Sequence, residues 1–215
     1  MTVLDVTALR ATALNSDPFD HLVVPAFIKA DDVHRIVSDY PAIGRPRNYR
    51  LDELRIGGAF ERMVDELRGA EFEAAISEKF GVSLEDKVTA ITVRGLCERS
   101  DGNIHTDSKT KIITVLIYFN REWPHEGGRL RLLRSANDIE DYVEEVAPLA
   151  GTLLAFRRCD HSYHGHRTFE GSRLMLQLSW VEPKRTANYR SKRDGFGWRL
   201  KRFLGISSGG RLRTN

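Results

Sequence analysis

The sequence predicts a mainly β protein with α elements, a β sandwich or barrel preceded by helices that pack on one sheet. Three observations predict it. Apolar residues recur at helical spacing up to Gly81 and at strand spacing after it. At least five of the later segments are short, rich in Val, Ile, Leu and Thr, and fairly regularly spaced. With 41% hydrophobic and 29% charged residues over 215 positions, the chain has the composition and length of a globular domain with a well-buried core.

The elements follow in order. HLVVPAFI (21–28) reads as a strand. KADDVHRIVSDYP reads as a helix in which Val33, Ile36 and Val37 share a face, Asp31 or Asp32 supplies the cap and Pro41 marks the stop. Residues 51–80 read as one or two amphipathic helices, with Phe60, Met63, Leu67, Phe72, Ile76 and Phe80 among the apolar positions and Gly81 closing them. KVTAITVRGL (87–96) and KIITVLIYFN (111–120) have strand composition. GGRLRLLR (127–134) alternates Leu with Arg, the pattern of a half-exposed strand. GTLLAFRR (151–158) and SRLMLQLSWVE (172–182) complete the set. The expected organisation is an N-terminal segment at 1–19, one domain at 20–183 and a basic tail at 184–215.

Composition excludes several classes. The longest apolar run, VLIYF (115–119), is far too short to cross a bilayer, and the N-terminus has no basic start followed by an apolar stretch. Cys97 and Cys159 make neither a disulfide framework nor a CxxC metal pair, so they read as reduced thiols of a cytoplasmic protein. The net charge of +3 is uneven. Residues 184–215 hold ten Lys or Arg against the single acid Asp194, which leaves the body mildly acidic. The aromatic-interleaved basic tail is therefore expected either to pack back on the body or to contact an anionic surface.

Two stretches concentrate chemistry. In GNIHTDSK, His105 and Asp107 are two residues apart, so on an extended chain both face one ion. H-x-D alone is a weak motif. CDHSYHGHRTFEGSR (159–173) packs His161, His164 and His166 into six positions and ends on Arg173. A tight hairpin centred on Glu170–Gly171 would pair Thr168 with Arg173, His166 with Met175 and His164 with Gln177. That register puts His164, His166 and Arg173 on one face and turns His161 away, leaving His164 and His166 both open as ligands. Arg173, with its planar fork of donors on a Leu- and Met-rich strand, is suited to bidentate contact with a carboxylate.

In order and spacing, HTD (105–107), TVLIYFN (114–120), EGGRLRL (126–132), LLAF (153–156), SYHG (162–165), Arg173 and Trp180 resemble the iron(II)/2-oxoglutarate-dependent oxygenases. The branch resembled is the prolyl 4-hydroxylase-like one, over roughly residues 88–182. The resemblance implies a double-stranded β-helix, or jelly roll, with N-terminal supporting helices. It implies His105, Asp107 and His164 as iron ligands, because the distal histidine of that branch lies nine positions before the arginine; His166 is the alternative. Arg173 is implied as the partner of the distal carboxylate of 2-oxoglutarate, Tyr118 as its helper and Thr114 as a further lining residue. Leu96 departs from the branch, whose members often carry tyrosine there.

The implied reaction is hydroxylation of a C–H bond by a dioxygenase using Fe(II), 2-oxoglutarate and O2, with release of succinate and CO2. Ascorbate is an accessory reductant the branch admits. The substrate is left open between a prolyl or other protein side chain and a small molecule or sugar precursor. Two other classes compete: a catalytically silent jelly-roll module that binds through its tail, and a zinc hydrolase on the same ligands. Neither has a use for Arg173 nine residues past a ligand.

Overall fold

A computed structural model describes residues 2–183. The basic stretch 184–215, and with it any anionic partner, lies outside the described residues. Two antiparallel sheets form the body. From edge to edge the larger sheet runs β1 (His21–Val24), β7 (Leu153–Arg157), β4 (Lys111–Tyr118), β9 (Gly171–Val181), β3 (Val88–Cys97) and β2 (Tyr49–Arg50). The smaller runs β6 (Tyr142–Val146), β5 (Leu130–Leu133) and β8 (His164–Gly165). A single antiparallel bridge between His105 and His164 extends the smaller sheet beyond β8.

Strand alternation sorts the side chains into two cores. Ile113, Val115 and Ile117 of β4, with Leu176, Leu178 and Trp180 of β9, face the helices α2 (Ala30–Ser38), α3 (Gly58–Leu67) and α4 (Ala70–Phe80). Phe72 of α4 meets Trp180 at 5.9 Å between rings. The other face of the same strands supplies Leu116, Tyr118, Leu154, Phe156 and Met175, which pack against Leu130, Leu132 and Val146 of the smaller sheet. This is the expected jelly roll with helices behind the larger sheet. The candidate residues Tyr118 and Arg173 lie on this inner face.

Of the one or two helices expected over residues 51–80 there are two, α3 and α4, joined at Gly69, and Gly81 ends α4 as expected, in the left-handed region at φ 60°. Other expectations are corrected. Asp31 and Asp32 sit in the first turn of α2 with Lys29 at the cap position, so they act on the helix dipole rather than as side-chain caps. Residues 1–19 do not stand apart, because α1 (Val6–Ala11) and its flanks bury Val3, Leu4, Val6 and Leu9 in the helix-facing core. β5 is buried throughout instead of half-exposed. Its Arg131 is taken up by Glu140 at 2.8 Å and Glu145 at 2.6 Å, and lies over the Tyr142 ring. Those partners come from β6 and the turn before it, which composition did not mark as a strand.

Candidate active site

The largest correction concerns the histidine-rich stretch. β8 does not form a hairpin with β9; it pairs with β5, Leu132 opposite His164, while β9 begins at Gly171 in the other sheet. Residues 166–170 therefore cross between the sheets, and His164 and Arg173 reach the same interior from opposite walls.

His105, Asp107 and His164 converge, with one possible ligand atom from each lying within 4.8 Å of the others. The backbone causes the meeting. His105 N–H donates to the His164 carbonyl at 3.0 Å and His164 N–H to the His105 carbonyl at 2.9 Å, and the rings come to 4.4 Å between centroids. Each Nδ1 lies against the carbonyl two residues earlier, Asn103 at 2.8 Å for His105 and Ser162 at 3.0 Å for His164. A carbonyl only accepts, so each Nδ1 carries the proton and each Nε2 keeps a free lone pair, the atom a metal takes. Burial, helped by the neighbouring His105, lowers the His164 pKa to about 4, so its ring is neutral at pH 7.

The bridge depends on Gly165. A Cβ there would sit 2.7 Å from the Gly102 carbonyl, on the loop that leads into His105. Asp107 is held at both oxygens, by Lys111 Nζ at 2.6 Å on Oδ1 and the Thr114 hydroxyl at 2.5 Å on Oδ2. Burial alone would raise its pKa, but Lys111, His164 and the two hydrogen bonds outweigh burial and lower it, so the carboxylate is charged.

Deeper between the sheets, Arg173 is 3% exposed. Its Nε donates to the Gly128 carbonyl at 2.7 Å and its Nη1 to Met175 Sδ at 2.9 Å. Nη2 has no partner among the described residues, and neither has the Tyr118 hydroxyl, although both are buried. No ion pair to Arg173 occurs among the described residues either. Burial raises the Tyr118 pKa while Arg173 pulls it back, so the phenol keeps its proton and is a donor. A buried guanidinium with no carboxylate of the protein against it stands beside a buried phenol, two donors that a bound anion would satisfy.

Residues 96–182 match the family described as the 2OG-Fe(II) oxygenase superfamily. That stretch is a 2OG-Fe(II) oxygenase domain. Solved structures that resemble the chain include a prolyl-4-hydroxylase from Pseudomonas putida, with TM-score 0.55 and 19% identity over 81% of this chain and 99% of that one. A prolyl 4-hydroxylase from Phytophthora capsici gives 0.56 and 16% over 94% and 76%. A viral collagen prolyl hydroxylase from Paramecium Bursaria Chlorella virus-1 gives 0.53 and 11% over 79% and 99%. At such identities the likeness is one of fold. No curated protein sequence matches the chain.

Within the oxygenase domain the remaining expectations sort by geometry. Thr114 shares the inner face with Tyr118, and its hydroxyl donates to Asp107, with the Ser179 hydroxyl at 3.3 Å. His166 stays outside the cluster. Its N–H bonds the Gly102 carbonyl and its Nδ1 the Arg167 carbonyl at 2.9 Å. His161 is exposed, as is His125, whose ring meets Trp123 edge-on and Phe169 at a tilt. Trp180 belongs to the helix-facing core. Leu96 is half-buried opposite Ser172. Sequence reasoning missed Lys111 and Gly165, whose roles appear only once the loop before His105 lies against β8.

Proposed function

We propose that His105, Asp107 and His164 hold Fe(II), and that Arg173 and Tyr118 anchor the distal carboxylate of 2-oxoglutarate, in a hydroxylase that releases succinate and CO2. The observation that carries this reading is the pair of orphaned donors, Arg173 Nη2 and Tyr118 Oη, buried in the layer that also contains the His–Asp–His cluster. The donor set fits the group: two imidazole nitrogens and one carboxylate are the ligands of non-haem ferrous oxygenases and leave positions open for small ligands. Bound there, the iron supplies the activation of O2 that hydroxylation of an unactivated C–H bond requires.

The chain's own residues do the rest. The carbonyls of Asn103 and Ser162 fix the two imidazole tautomers, and Thr114 with Lys111 fixes the Asp107 carboxylate. Thr114 and Tyr118 stand four residues apart on one strand face, about 13 Å by strand rise. A diacid held at its keto-acid end near Asp107 and at its far end near Tyr118 lies along that span. Charged hydrogen bonds to its far carboxylate contribute on the order of 1.5–3 kcal/mol each. The apolar walls Leu116, Leu154, Phe156 and Leu132 keep bulk water from that end. Fold likeness to prolyl hydroxylases supports a prolyl side chain in a polypeptide as the substrate. The two free cysteines suit a reducing, cytoplasmic setting.

The test is anaerobic addition of Fe(II) and 2-oxoglutarate to the metal-free protein. A visible charge-transfer band is expected, and a colourless mixture would refute the site. Incubation with prolyl peptides in air should then give a gain of one oxygen by mass; no gain on any peptide, with 2-oxoglutarate still consumed, would move the substrate to another class.

A further inference from the structure

Three of the inner-layer contacts of Arg173 account for its orientation, and one is unusual. The Nε is aimed by the Gly128 carbonyl, which the EGG stretch brings to 2.7 Å. The Nη1 is aimed by a thioether, Met175 Sδ at 2.9 Å, two residues along the same strand and on the same face. The Nη2 is left free beside Tyr118, whose ring centre lies 5.3 Å from the guanidinium carbon. Cys97 also lies near the guanidinium, but its thiol is kept protonated by burial and offers no anionic partner.

A guanidinium is planar, so fixing Nε and Nη1 fixes where Nη2 points. Sulfur is a weak acceptor: it occupies Nη1 without neutralising the charge, and so does not compete with a carboxylate for the cation. A carboxylate at position 175 would neutralise the cation, whereas an aliphatic residue would leave Nη1 loose and the fork free to rotate. We infer that Met175 is a positioning residue for the cosubstrate, its thioether holding the Arg173 fork so that Nη2 and the Tyr118 hydroxyl present one paired donor surface to the distal carboxylate. This rests on the reading of Arg173 as the distal anchor. It makes Met175 a determinant of selectivity for a 2-oxo diacid over a 2-oxo monoacid of the same length.

The experiment titrates the full chain, loaded with Mn(II), with 2-oxoglutarate and separately with 2-oxopentanoate, which has the same carbon count and no distal carboxylate. Binding is followed by calorimetry. Met175→Leu keeps the volume and removes the acceptor; it should weaken 2-oxoglutarate about tenfold, the scale of one charged hydrogen bond, and leave 2-oxopentanoate within about twofold on the same scale. Met175→Gln, which restores an acceptor of similar reach, should recover most of the loss. Combined with Arg173→Lys, Met175→Leu should have no further effect, because the planar fork it positions is gone.

Unchanged 2-oxoglutarate affinity in Met175→Leu overturns the inference while the distal anchor stands. Equal weakening of both acids overturns it as well, because that is the signature of a packing role. No recovery by Gln removes the hydrogen bond as the cause. A wild-type protein that fails to prefer 2-oxoglutarate over 2-oxopentanoate sinks the anchor reading itself.

Discussion

Replacing Tyr118 by Phe should move stability and cosubstrate affinity in opposite directions. The Tyr118 hydroxyl is fully buried and has no hydrogen-bond partner among the described residues. A buried donor without an acceptor costs about 1–3 kcal/mol relative to its hydrated state in the unfolded chain. Phe keeps the ring that packs with Leu116, Leu130 and Phe156 and deletes only the oxygen. The ligand-free variant should therefore be more stable than wild type, by up to about 1–3 kcal/mol if the surrounding side chains close over the site. With a carboxylate present the sign reverses, because the hydroxyl then makes a charge-assisted bond of about 1.5–3 kcal/mol, so affinity for 2-oxoglutarate should fall roughly 10- to 100-fold.

The assay is a denaturant titration of metal-free protein beside a calorimetric titration with 2-oxoglutarate. A variant less stable than wild type would mean that the hydroxyl has a partner after all. One with unchanged affinity would mean that the carboxylate lies elsewhere.

Asp107→Ala should abolish the ferrous 2-oxoglutarate charge-transfer band, whereas His161→Ala should leave it nearly intact, since His161 lies outside the His105–Asp107–His164 cluster; equal loss from both would overturn the ligand assignment. Thr114→Val should weaken metal binding about tenfold, one hydrogen bond to a charged oxygen, read by competition with a chromophoric chelator; no change would make Thr114 a core residue only. Gly165→Ala places a Cβ 2.7 Å from the Gly102 carbonyl. It should separate His105 from His164 and weaken metal binding far more than it lowers stability, the overpacking cost itself being about 1–3 kcal/mol; intact metal affinity would show that the bridge is dispensable.

The metal-free protein should also lose stability in acid. Burial holds His164 and His166 at about 4, against 6.5 for the ordinary group. Between those values the unfolded chain binds more protons than the folded one, so stability is full above pH 6.5 and falls as the pH drops toward 4, by on the order of 3 kcal/mol per histidine. A denaturation midpoint that does not move between pH 7 and pH 4.5 would refute this.

Much of this site was legible in the sequence because its spacing is short and local. His105 and Asp107 are two residues apart, and Tyr118 and Thr114 share a strand face whatever the partner strand is. The path from His164 to Arg173 was not legible. A hairpin and a crossover give the same separation along the chain, and only pairing with β5 decides between them. Arg131 illustrates the same limit. Alternating Leu and Arg has the period of an exposed edge, and what buries the arginine is Glu140 and Glu145, acids from a hairpin arm with no strand composition. Lys111, Gly165 and Met175 carried no signal, because each acts through a contact that tertiary structure creates.

The inner layer also bears on the two competing classes. A zinc hydrolase could use His105, Asp107 and His164, and a silent jelly-roll module could keep them as a relic, but both must account for Arg173. Folded proteins are stable by only about 5–15 kcal/mol, and two buried donors without acceptors cost about 1–3 kcal/mol each. Neither hydrolysis at a zinc ion nor a binding surface elsewhere recovers that cost. A ligand whose carboxylate meets both donors would recover it on binding. The arrangement of Gly128, Met175 and Tyr118 around one guanidinium is thus accounted for by the proposed anchoring of a distal carboxylate and by neither competing class.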